Sequence, residues 1–172
     1  MVEKYLPDSL KKTALEAVAY VGKNQTLFDA FYVMACKDNG SEGLRAANVV
    51  QKCTENYPDM IEKHVPDMLA KMPNFKTDGV KRCFLKFFTL YQYTGNEEWL
   101  TTLIDVCIRF LGIEHSESIA VQAYSLSTLQ KLCKLYPEII AEITFLVEQL
   151  QPYAGKALQS RMKQVVKQIK KI

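Results

Sequence analysis

Thirteen residues of this 172-residue chain return 79 positions later without a gap. Val49-Val50-Gln51-Lys52-Cys53-Thr54-Glu55-Asn56-Tyr57-Pro58-Asp59-Met60-Ile61 aligns with Thr128-Leu129-Gln130-Lys131-Leu132-Cys133-Lys134-Leu135-Tyr136-Pro137-Glu138-Ile139-Ile140. Gln-Lys, Tyr-Pro, an acid and two hydrophobic residues coincide. A shorter echo, Ser41-Glu42-Gly43-Leu44-Arg45 against Thr77-Asp78-Gly79-Val80-Lys81, has an offset of 36. The long offset is then two units of roughly 36–43 residues, room for two helices each. One such unit cannot bury its apolar face alone, so neighbouring units must stack to supply a core.

Apolar spacing along the chain is helical, and no alternating strand pattern interrupts it, so the chain reads as all-α. Glycine and proline fall at the breaks. The expected helices are about Ser9–Val21, Gln25–Cys36, Ser41–Asn56, Pro58–Lys71, Asp78–Tyr93, Asn96–Leu111, Ser116–Leu135 and Pro137–Leu150, closed by Gly155–Lys171. Asp8 or Ser9 is expected to cap the first helix and Asn24 the second. Pro66 predicts a kink or a restart inside the fourth. The closing helix carries Leu158, Met162, Val165, Val166 and Ile169 on one stripe. Lys156, Lys163, Lys167 and Lys170 fall on the opposite face, as expected of a polar end cap.

Composition excludes several classes. At 48% hydrophobic and 24% charged the chain is neither disordered nor a disulfide scaffold. No stretch approaches the ~18 apolar residues of a membrane span, and the start lacks the basic-then-apolar order of a secretory leader. Cys36, Cys53, Cys83, Cys107 and Cys133 are odd in number and form no CxxC. They read as small buried hydrophobes, and a reducing cytoplasm is the expected compartment. No cofactor and no metal set is expected. Residues 155–172 carry a charge of +6, which leaves −3 for the rest.

Residues 41–172 resemble a short HEAT-repeat α-solenoid, of the HEAT or armadillo class. The segment Ala120-Val121-Gln122-Ala123-Tyr124-Ser125-Leu126-Ser127-Thr128-Leu129, followed by a basic last helix, resembles small bacterial HEAT-like proteins. The resemblance implies one α-α superhelical domain over residues 1–172, about four helix pairs plus a C-terminal capping helix. It also implies that the second helix of each pair lines the concave side. Those second helices carry a net −6, whereas the first helices from residue 41 to 135 carry +3. An acidic hollow repels a phosphate backbone and suits a basic or amphipathic protein segment.

The expected function is therefore a non-enzymatic protein-binding module. Glu62, Glu98, Asp105, Glu142 and Glu148 are its candidate rim contacts, and Trp99 its candidate anchor if the ring faces outward. Packing beside Leu103 and Val106 is the alternative for Trp99. Glu97-Glu98 follows a good capping residue, Asn96, so helix-dipole chemistry accounts for that acid pair without catalysis. Glu42, Asp59, Asp78, Glu117 and Glu138 read the same way. His64 and His115 stand 51 residues apart, with no ligand partner at helical spacing. The rival reading is a nucleic-acid-binding protein using Lys163, Lys167 and Lys170. The HEAT-fold DNA alkylation-repair glycosylases would supply its template, because Trp99, Asp105 and Arg109 share a helix. A second tryptophan is missing, and no aromatic interleaves the lysines for base stacking.

Overall fold

The repeated Tyr-Pro segment builds the same turn twice. In the computed structural model, which describes residues 2–115 and 117–172, Tyr57 has φ −138° and ψ 72°. Tyr136 has φ −127° and ψ 74°. The proline that follows bars each tyrosine from the helical region. Tyr57 N donates to Cys53 O and Tyr136 N to Leu132 O, both at 2.9 Å. Each copy therefore ends one helix and aims the next.

Among the described residues the chain is helical, without strands, and its contacts divide it into two compact units, Met1–Tyr91 and Gln92–Ile172. The first unit contains α1 (Lys11–Val21), α2 (Gln25–Cys36), α3 (Gly40–Asn56), α4 (Asp59–Glu62), α5 (Val65–Lys71) and α6 (Asp78–Leu90). The second contains α7 (Leu100–Leu111), α8 (Ile119–Leu132), α9 (Ile140–Leu150) and α10 (Lys156–Ile169).

In the first unit α3 is flanked by α1 and α6 and covered by α2. A Cβ on Gly79 of α6 would meet Leu44 Cδ1 of α3 at 2.6 Å, so the glycine leaves room for that leucine side chain. Asp38 accepts from the backbone N–H groups of Lys76 and Thr77 at the start of α6. Cys83 Sγ donates to Asn48 Oδ1 at 3.3 Å, and Lys86 pairs with Glu55 at 2.8 Å. Phe28, Phe31, Phe84, Phe88, Ile61, Met68 and Leu69 form the core. Each such side chain contributes roughly 1.5–3 kcal/mol on burial.

In the second unit α8 packs between α7 and α10. Arg161 Nη2 donates to Ser127 Oγ at 2.6 Å, and Gln130 bonds Gln168. Leu100, Leu103, Phe110, Leu126, Leu129, Leu132, Ile143, Leu158 and Val165 are buried. On α10 the stripe Leu158, Met162, Val165 and Ile169 is buried, while Val166 is half-buried.

Several helix ends differ from expectation. Pro66 lies in the first turn of a restart, because the chain breaks at Lys63-His64 between α4 and α5. Asn24 caps α2 through Leu27 N at 3.1 Å. The cap position of α1 is Leu10 rather than Asp8 or Ser9, and Asp8 instead accepts from Leu10 N at 2.9 Å. The Asn96 start is also corrected. The helix begins at Leu100, and Glu97 folds back to accept from Thr94 N and Gly95 N, both at 2.9 Å. Burial raises the Glu97 carboxyl, but these N–H groups outweigh it and hold it below its ordinary range. Glu117 precedes α8 and Glu138 sits in a 3-10 turn before α9, so neither occupies an α-helical first turn.

Candidate protein-binding grooves

All five cysteines are free, four of them buried. Burial pushes the Cys53 and Cys107 thiols up to about 12 and Cys133 to about 11. That suppresses the nucleophilic thiolate. His64 is half-buried, stacked on Tyr32 with ring centroids 4.1 Å apart, and its Nε2 lies 2.7 Å from Asp29 Oδ1. The side chain of His115 lies outside the described residues.

Asp29 is the hub of a polar seam between α2 and the α4–α5 pair. Lys63 Nζ donates to its Oδ2 at 2.6 Å and Gln25 Nε2 to its Oδ1 at 2.8 Å. Gln25 also reaches Met60 O at 2.9 Å. Burial raises the Asp29 carboxyl, yet the bonds from Lys63, Gln25 and His64 bring it down to about 2. One rung further on, Tyr32 donates to Asp67 at 2.8 Å, and Asp67 pairs with Lys71 at 2.7 Å.

The candidate binding residues fall in separate places. Glu62 ends α4 in the first unit, exposed, and accepts from Tyr91 Oη at 3.2 Å. Glu98 is exposed in the turn before α7. Trp99 occupies the cap position of α7, half-buried, its ring edge-on to Tyr93 at 6.3 Å. Asp105 and Glu142 come together. They line a groove of about 610 Å³ between α7 and α9, along with Thr101, Ile104, Ile108, Arg109, Glu114, Tyr136, Glu138 and Ile139. Four acids face one arginine over an isoleucine floor. Among the described residues, no ion pair engages Asp105, Glu138 or Glu142.

Glu148 lies on the other flank of α9. It lines a groove of about 450 Å³ against α10 with Thr144, Val147, Gln151, Gln159, Met162, Lys163, Val166, Lys167 and Lys170. The three lysines of the rival reading thus converge, and they border an apolar floor. Between the two grooves Phe145 stands 58% exposed on the outer ridge of α9. Sequence reasoning named its neighbours Glu142 and Glu148 but missed this ring. At 100° per residue it points away from buried Ile143, Val147 and Leu150, and that spacing was the available signal.

Among the described residues no helix is long and apolar enough to cross a membrane, and no three His, Cys, Asp or Glu side chains cluster as metal ligands.

Stacked helix pairs joined by a recurring Tyr-Pro turn define a helical repeat protein. The HEAT repeat domain family matches residues 2–169, and the chain belongs to that family. Domains of this kind are generally non-catalytic scaffolds that mediate protein interactions. No curated protein and no solved structure matches the chain.

Proposed function

We propose that the chain is a non-enzymatic interaction module that takes a basic, amphipathic protein segment in the groove between α7 and α9. One observation carries this reading: Asp105, Glu138 and Glu142 surround an apolar floor, and among the described residues no salt bridge engages them. Lysine or arginine on a bound segment gains those carboxylates, while an aliphatic side chain covers Ile104, Ile108 and Ile139. Phe145 beside the groove supplies an exposed aromatic of the kind that anchors interfaces. Charge at such a rim chiefly sets encounter rate and selectivity.

The test is fluorescence anisotropy with a labelled helical peptide bearing lysines along a leucine stripe. Binding should weaken as salt rises. Asp105→Lys with Glu142→Lys should weaken it by about ten-fold or more at low salt. Salt-insensitive binding, or unchanged affinity in the double variant, refutes the reading.

A further inference from the structure

The groove between α9 and α10 has opposite charge and a different place in the repeat. In the first unit the α4–α5 pair follows α3 and lies along α2, the second helix of the preceding pair, joined to it by Gln25, Asp29 and Tyr32. In the second unit α10 packs on α8 just as one first helix packs on the next, through Arg161–Ser127 and Gln130–Gln168. The place equivalent to α4–α5 is then the channel between α10 and α9, the second helix of its preceding pair. That channel is the 450 Å³ groove.

Its lining specifies what lies there. Val147, Met162 and Val166 form the floor, and Gln151, Gln159 and Thr144 offer amide and hydroxyl groups. Lys163, Lys167 and Lys170 recur at i, i+4 and i+7, so they form one row along α10, exposed, with Glu148 the acid among the residues that line the groove. From Gln159 to Lys170 the row and floor run about 16 Å, three turns of helix. We propose that this groove docks an amphipathic α-helix of a partner protein, apolar on the stripe facing α9 and α10 and acidic along the flank facing the three lysines. The repeat geometry asks for a helix, the floor for an apolar stripe, and the lysine row for carboxylates at matching spacing. Nucleic acid fits less well, because the lining holds no aromatic ring on which a base stacks.

The experiment uses the full chain and three synthetic helical peptides of about 18 residues, a length at which an isolated helix begins to hold. One has a leucine stripe with a glutamate flank, one the same stripe with a lysine flank, and one is the scrambled glutamate sequence. The glutamate peptide should bind, more weakly as salt rises. Lys163→Gln, Lys167→Gln and Lys170→Gln together should weaken it about ten-fold. These side chains are exposed, so the circular dichroism spectrum should not change. Val166→Asp, which charges the floor, should weaken it by a similar factor. Asp105→Lys with Glu142→Lys should not weaken it, which separates this site from the acidic groove. Equal binding of the lysine or scrambled peptide would overturn the proposal. So would unchanged affinity in the triple variant, displacement of the peptide by oligo-dT with the same lysine dependence, or self-association of the chain that the triple variant abolishes.

Discussion

The second helices of the two units treat the same repeat positions in opposite ways. In the first unit Asp29 and Lys63, 34 residues apart, are bonded at 2.6 Å, and His64 closes on the same carboxylate. In the second unit the residues 34 apart on the facing helices are Ile108 and Glu142, and 79 positions after His64 stands Ile143, buried. The polar rung is replaced by hydrocarbon with one carboxylate left at the rim, and a groove runs there instead. A repeat that spends its polar groups on itself closes its surface. One that fills the same positions with isoleucine and a carboxylate at the groove rim keeps a surface to offer. The difference supports the proposed site in the second unit more directly than total charge does.

Breaking the closed rung should have the larger effect on stability. Asp29→Ala strips a shared acceptor from Lys63, Gln25 and His64. The loss should cost about 1–2 kcal/mol once the partial exposure of the carboxylate is allowed for. In a chain of this size that lowers Tm by roughly 2–8 °C, read by thermal denaturation. An unchanged Tm would mean that the seam is decoration, and the contrast between the units would lose its energetic content.

Acid sharpens the same point. The Asp29 carboxyl is held at about 2 against an ordinary 3.8, and Lys71 holds Asp67 below its ordinary range as well. A carboxyl whose pKa is depressed on folding adds stability above its unfolded value, and that contribution fades as pH falls toward the folded one. The stability gap between the wild type and Asp29→Asn should therefore be full at about pH 6 and should shrink from about pH 5 toward pH 2. Denaturant titration at each pH measures it. A gap that stays constant across this window would contradict the pairing of Asp29.

The sequence carried the repeat, the Tyr-Pro turns, the cap at Asn24 and the restart near Pro66, because each is a local backbone preference. Asp105 and Glu142 could be named as rim acids because composition differs between first and second helices. The grooves themselves were not legible. Which flank of α9 stays open depends on how its neighbours stack, and α9 looks the same whichever side they cover. For that reason Lys163, Lys167 and Lys170 read as a plain solvated cap, although they border Val147 and Met162. Phe145 carries no charge and so stands outside a charge-based reading, whereas Trp99, the single tryptophan, lies half-buried against Tyr93.

The smallest expected effect completes the contrast. Asp105→Asn with Glu142→Gln keeps shape and volume and removes two charges from the open groove. No ion pair is broken among the described residues, and both side chains are exposed. Changes of that kind fall within the ordinary scatter of surface substitutions, so Tm should move by no more than about 2 °C. The direction should be upward if anything, because two like charges leave a cluster that also holds Glu138. Binding of the basic peptide should fall in the same variant. A Tm drop as large as that of Asp29→Ala would show that these carboxylates hold the second unit together much as Asp29 holds the first, and the groove would then be a structural seam with no surface to spare for a partner.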